Sequence, residues 1–103
     1  MTIHRRIQVA YDNDELASIC RAYGIRRLSA FGSALREDFS SESDIDLLVV
    51  FEPGTALGFR IFELEAKLSE VFGGRPVDLV REAYLNRHLR SRVLPTAETL
   101  YAA

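Results

Sequence analysis

The chain has 103 residues, 48% of them hydrophobic and 27% charged, which is typical of one globular domain with a compact core. Its net charge of -2 and isoelectric point of about 5.7 give no argument for nucleic-acid binding. The single cysteine, Cys20, excludes an internal disulfide and is expected to be a small core residue. No apolar run approaches the roughly 20 residues that cross a bilayer, and the N-terminus lacks the apolar run of a signal peptide. We therefore expect one domain, residues 1–103, in the cytoplasm; the oligomeric state is left open.

The first half of the chain predicts one helix and two strands. Asp12 or Asn13 can cap a helix that Gly24 ends. Its apolar side chains share one face: Leu16, Ile19, Cys20 and Tyr23. Residues 25–31 alternate imperfectly between apolar and polar and predict a short strand. Residues 44–51 are the most apolar run, and both of their faces are apolar beyond the first turn, which predicts a central strand.

The second half predicts two helices and a third strand. Residues 56–72 carry apolar side chains at helical spacing, and a double glycine ends this helix. Residues 76–80 predict a strand and residues 82–93 a helix. The tail, residues 97–103, fits either a last helical turn or an edge strand. This order of elements predicts an α+β domain in which one small mixed β-sheet has helices packed against it.

A glycine–serine pair, Gly32-Ser33, directly follows the first predicted strand. A glycine there allows the backbone to approach a phosphate closely, and the serine adds a hydroxyl and an amide as donors. The same pair is common in ordinary turns, so by itself it does not define a site.

Two acids, Asp44 and Asp46, begin the most apolar strand. Residues i and i+2 of a strand point to the same side, so both carboxylates are expected to converge. Two such anions repel each other unless a cation lies between them, and Mg²⁺ prefers oxygen ligands. The alternative is that both acids simply face solvent where the strand begins. Asp78 lies in another apolar strand; it completes a triad if that strand is a neighbour and is otherwise a solvent-facing edge acid.

The combined pattern, Gly32-Ser33 followed after ten residues by Asp44-x-Asp46, resembles the signature of the polymerase-beta-like nucleotidyltransferase superfamily. Residues 28–36 and 43–49 are similar to its minimal nucleotidyltransferase (MNT) group, which includes antitoxins paired with HEPN-domain toxins. Asp78 matches the position of the third acid of that family. The resemblance implies a polymerase-beta-like core for the predicted α+β fold.

The resemblance also implies a reaction: transfer of AMP from ATP to a hydroxyl, in this group a tyrosine of a HEPN toxin, with release of pyrophosphate. Gly32 and Ser33 would hold the phosphates of ATP, and Arg36 would neutralise their charge. Two Mg²⁺ ions are implied. The implied catalytic and metal-binding residues are Asp44, Asp46 and Asp78, the last of which could also help remove the proton of the acceptor.

Two classes of function remain open. The chain is either an enzyme that silences its partner by AMP transfer or a binding module that neutralises the partner by covering it. The glycine–serine pair and the three acids favour the enzyme, because binding alone needs none of them. A sugar-nucleotide enzyme is disfavoured by that pair and by the short chain. The basic segment 81–92 is interpreted as a solvated helix surface rather than as a docking face for an acidic partner, phosphates or RNA.

Overall fold

The computed structural model of the chain describes residues 10–35 and 44–103. Within these two ranges, three helices and four strands follow one another, with short 3₁₀ turns between some of them. The order is α1 (Asn13–Ala22), β1 (Ile25–Phe31), β2 (Ile45–Phe51), α2 (Arg60–Val71), β3 (Val77–Arg81), α3 (Arg87–Val93) and β4 (Glu98–Ala102), with 3₁₀ turns at Gly32–Leu35, Glu82–Tyr84 and Leu94–Thr96.

The four strands form one mixed sheet in the order β3-β2-β1-β4. β1 is antiparallel to both β2 and β4, whereas β2 and β3 are parallel. A parallel pair needs a crossover connection, and α2 supplies it. The prediction of an α+β fold with a small mixed sheet is confirmed, and β2 is an internal strand, as its apolar residues on both faces predict.

Local signals set the ends of the first helix. α1 is capped by Asp12, whose Oδ1 accepts hydrogen bonds from the amides of Asp14 at 2.8 Å and Glu15 at 3.0 Å. This geometry selects Asp12 over Asn13 as the cap. At the other end Gly24 has a φ of +71°, which ends the helix and starts the turn into β1.

The hydrophobic core lies between α1, α2 and one face of the sheet. β2 contributes Ile45, Leu47 and Val49, all fully buried, and α2 contributes Leu64 and Leu68. Side chains alternate between the faces of a strand, so Asp46 of the same strand points away from the helices. We call the face opposite α1 and α2 the open face.

The second half differs from the sequence predictions in two places, and it decides between the alternatives for the tail. The helix expected at 56–72 begins only at Arg60, because Gly58 has a φ of +56° in the preceding turn. The helix expected at 82–93 is divided, because Asn86 adopts an extended conformation and caps a new helix by accepting a hydrogen bond from the amide of Leu89 at 2.8 Å. Of the two alternatives for the tail, the strand is right: Glu98–Ala102 pairs with the free edge of β1.

Candidate active site

Two of the predicted acids are partners across neighbouring strands. Asp46 of β2 is paired in register with Asp78 of β3, at a strand separation of about 4.8 Å. Side chains of register partners lie on the same face of a sheet, so both carboxylates belong to the open face. Asp46 is half-buried on an internal strand, whereas Asp78 is exposed on the edge strand. The structure therefore brings these two acids together.

Asp44 lies at the same end of the sheet. It is exposed and immediately precedes β2, whose first amide, that of Ile45, donates a hydrogen bond to the carbonyl of Pro76 at 2.8 Å. This bond ties the start of β2 to the residue before β3. All three acids are therefore at the N-terminal ends of the parallel pair.

The turn after β1 is packed against one of these acids. Phe31, the last residue of β1, is the register partner of Asp46. The next residue, Gly32, has a φ of +70°, and a Cβ added to it would lie 2.7 Å from Oδ2 of Asp46. Only glycine leaves this space for the carboxylate. Ser33 follows in the same 3₁₀ turn, whereas Arg36 lies outside the described residues.

The donor chemistry of the three acids suits a hard divalent cation. Carboxylate oxygens are the ligands that Mg²⁺ prefers, and the set contains no nitrogen or sulfur. In residues 10–35 and 44–103, no three His, Cys, Asp or Glu side chains are gathered closely enough to hold a metal ion. The three acids share one end of the sheet, and their oxygen donors fit Mg²⁺ by chemistry.

Sequence reasoning missed an ion pair and a cavity on the open face. Arg27 Nη2 lies 2.6 Å from Glu82 Oε2, which joins β1 to the 3₁₀ turn after β3. A cavity of about 270 Å³ lies next to this pair. Its lining residues are Arg27, Ser29, Glu82, Leu94, Ala97 and Thr99. Arg27 and Ser29 precede Phe31 by even steps along β1, so this cavity is on the same face as Asp46. No local motif joins residues 55 positions apart, so the sequence carried no signal for the pair.

Two arginines of the basic segment have local structural contacts. The guanidinium of Arg81 lies over the rings of Phe51, at 4.9 Å, and Tyr84, at 5.6 Å. The guanidinium of Arg90 donates to the carbonyls of Glu82 and Leu85 at 3.3 and 3.4 Å. These contacts fix the first part of the connection between β3 and β4. Part of the basic segment therefore has a structural role.

Cys20 is not part of the site. It is fully buried in α1, in the core on the other side of the sheet. Burial raises the pKa of its thiol to about 12, so the reactive thiolate is scarce at neutral pH. The prediction that Cys20 is a core residue is confirmed.

A family model described as a nucleotidyltransferase domain matches residues 14–97. The chain belongs to this nucleotidyltransferase family. The match spans β1, the Gly32 turn and both acid-bearing strands, so the family assignment and the geometry concern the same part of the molecule. The resemblance noted from the sequence is thereby confirmed.

One named relative and one solved structure are each 38% identical to this nucleotidyltransferase. The protein adenylyltransferase MntA of Thermococcus cleftensis is 38% identical over 72 residues, which cover 70% of this chain and 71% of the relative. A solved structure described as a minimal nucleotidyltransferase is 38% identical, with a TM-score of 0.68 and coverage of 82% and 85% of the two chains.

Two solved complexes resemble the chain in fold alone, each at 22% identity. One is a toxin–antitoxin complex with AMP-PNP (TM-score 0.69; 89% of this chain and 74% of that chain). The other holds a tri-AMPylated Shewanella oneidensis HEPN toxin with an MNT antitoxin (TM-score 0.60; 88% and 70%).

In the nucleotidyltransferase itself, no helix of the described residues is long and apolar enough to cross a membrane.

Proposed function

We propose that this nucleotidyltransferase transfers AMP from ATP to a tyrosine hydroxyl of a HEPN ribonuclease toxin and so acts as its antitoxin. The observation that carries the proposal is the contact of the Gly32 turn with Asp46, which is itself in register with Asp78. This arrangement places a glycine turn of the kind that binds phosphate next to two paired acids on the open face of the sheet. The relative named as a protein adenylyltransferase supports the same reaction.

The acids and the turn have separate tasks in this proposal. Asp44, Asp46 and Asp78 would hold Mg²⁺. When bound, Mg²⁺ supplies positive charge that offsets the charge of the phosphate oxygens and favours loss of the acceptor proton. Gly32 lets the backbone approach the phosphates of ATP because it has no side chain, and the backbone amide of the next residue, Ser33, would be a donor beside it.

The chemical step is a displacement at the α-phosphorus. The acceptor oxygen forms a new bond to this phosphorus, and the bond from phosphorus to the bridging oxygen of the β-phosphate breaks. Pyrophosphate leaves with the bonding electrons. The acceptor proton passes to the carboxylate of Asp78 and from there to water, because Asp78 is exposed.

The position of Asp78 also suits a protein acceptor. Among the described residues β3 is an edge strand, so none of their strands lies beyond it on that side. A side chain of a folded partner can therefore reach the acid from the edge, whereas a residue of an internal strand would be reached only from above the open face.

The test compares two labels in the same reaction. The protein is incubated with a HEPN-type toxin, Mg²⁺ and ATP labelled at either the α- or the γ-phosphate. Label from the α-position is expected on the toxin, and label from the γ-position only in pyrophosphate. EDTA and a Tyr-to-Phe change at the modified position of the toxin should each abolish transfer.

Two variants assign the role of the acids. We expect Asp78→Asn to lower the transfer rate about a hundredfold or more, whereas Glu52→Gln, an exposed acid just beyond the opposite end of β2, should leave it unchanged. If the protein binds the toxin but no label from the α-phosphate appears on the toxin, the chain neutralises its partner by binding and not by AMP transfer. Equal activity of the two variants would remove Asp78 from the mechanism.

A further inference from the structure

The outer surface of α2 exposes two aromatic rings. Phe59, at the N-terminal boundary of the helix, is 91% exposed and Phe62 is 65% exposed. Ala66, one turn further on, is also exposed. The spacing of three and four residues places the three on one stripe, opposite the buried Leu64 and Leu68. Neighbouring exposed aromatic rings of this kind mark a contact surface.

A row of alternating charges runs beside this stripe. It consists of Arg60, Glu63, Lys67 and Glu70, all exposed and again three or four residues apart. In order along the helix the signs are positive, negative, positive and negative. When a second copy of the helix runs in the opposite direction, each charge of the row faces a charge of opposite sign. The row is therefore complementary to itself in an antiparallel arrangement.

We infer that α2 binds α2 of a second copy of this chain in an antiparallel, two-fold symmetric pair. An axis at the level of residue 65 brings together positions that are equally distant from it. Arg60 and Glu70 are each five residues from that level, and Glu63 and Lys67 are each two residues from it. Both pairs therefore join opposite charges, and each occurs twice. Ala66 lies next to the axis, where a small side chain allows the helices to approach closely.

Two of the four charges are already held in place. Glu63 accepts a hydrogen bond from the hydroxyl of Tyr23 and lies 3.8 Å from Arg60, whose guanidinium lies over the ring of Tyr23 at 5.1 Å. Its side chain is nevertheless 53% exposed. Glu63 is therefore positioned in advance for a cation of the second copy, which reduces the entropy lost on contact.

The apolar area of the stripe is small, which indicates a dimer that forms at high protein concentration and dissociates on dilution. Four phenyl rings in the pair supply roughly 600 Å², about half of the ~1,200 Å² at the lower limit of stable interfaces. The dimer would also leave the acids free. α2 packs on the core face of the sheet, whereas Asp46 and Asp78 are on the open face, so both sites of the dimer stay accessible.

The test is the mass of the full chain by sedimentation equilibrium over a concentration series. The expected mass rises with concentration from 11.6 kDa toward twice that value. Glu70→Lys places a cation opposite Arg60 of the second copy and should raise the dissociation constant about tenfold. Adding Arg60→Glu restores opposite signs and should recover association. Phe62→Ser should abolish it, whereas Tyr84→Ser, which removes an aromatic ring 76% exposed elsewhere, should not.

The outcomes separate self-association from other uses of the surface. A mass that stays at 11.6 kDa at all concentrations overturns the inference, as does a Glu70→Lys protein that associates like the parent. If Phe62→Ser leaves the mass series unchanged but weakens binding of the toxin, the surface belongs to the toxin and not to a second copy. AMP transfer per chain should be the same in all of these variants, because none alters the acids or the Gly32 turn.

Discussion

Replacing Gly32 with alanine should damage both the fold and the proposed chemistry. A residue with a side chain at a φ of +70° is strained by about 1–2 kcal/mol. The added Cβ would also lie 2.7 Å from Oδ2 of Asp46 and 3.5 Å from its Cγ, so the carboxylate must rotate away from its position, which costs about 0.5–1.5 kcal/mol. We therefore expect Gly32→Ala to lower the free energy of unfolding by about 1.5–3.5 kcal/mol, measured by urea denaturation.

Two other glycines of this chain separate the causes. Gly24 has a φ of +71°, and its Cβ would lie 2.7 Å from Oγ1 of Thr55, so Gly24→Ala combines the same strain with a similar clash far from the acids. Gly73 has a φ of +75° with nothing within 4 Å, so Gly73→Ala measures strain alone. Gly24→Ala should cost at least as much stability as Gly32→Ala, because its Cβ would meet both branches of the Thr55 side chain, and Gly73→Ala should cost less than either.

Activity and coupling then decide the role of the turn. Measured at equal concentrations of folded protein, AMP transfer should be lost in Gly32→Ala and retained in Gly24→Ala. In an Asp46→Ala background the nearest contact left to the new methyl is the Cβ of residue 46, at the ordinary distance of 3.7 Å, so Gly32→Ala should then cost no more than Gly73→Ala. Equal costs of Gly32→Ala in both backgrounds, or full transfer activity of this variant, would refute the contact between turn and acid.

Three further outcomes follow from the core and its edge. Leu64→Ala, at a fully buried position, should lower the free energy of unfolding by about 2–5 kcal/mol in urea; an unchanged midpoint would contradict its place in the core. The thiol of Cys20, with its pKa raised to about 12, should react with a disulfide reagent only as urea unfolds the chain, and fast labelling of the native protein would show otherwise. The pKa of Tyr23 is raised first by its hydrogen bond to Glu63 and then by burial. The stability that this phenol contributes is complete below about pH 10 and is lost as the pH rises through the folded pKa. Unfolding midpoints compared at about pH 8 and about pH 10.5 should therefore fall less in Tyr23→Phe than in the parent.

Much of the secondary structure was predictable because its signals are local. A capping carboxylate, a terminating glycine and the period of the apolar residues each act within a few positions, which is why α1, β1, β2 and β3 lie within a residue or so of their predicted bounds. The predictions failed where one local pattern of residues is compatible with two different structures. The apolar spacing near 82–93 continued through Asn86, yet that residue begins a new helix.

By itself the sequence determined the internal place of β2, the α+β class and the candidate residues Gly32, Asp44 and Asp46, whose close spacing makes them visible as a motif. Only the tertiary structure decided that Asp78 is in register with Asp46, that the tail is a strand on β1, and that Gly32 lies against a carboxylate. The reason is physical: these relations depend on strand pairing between segments far apart in the chain. Such pairing follows from which apolar faces can be buried together, and no short stretch of residues carries that information.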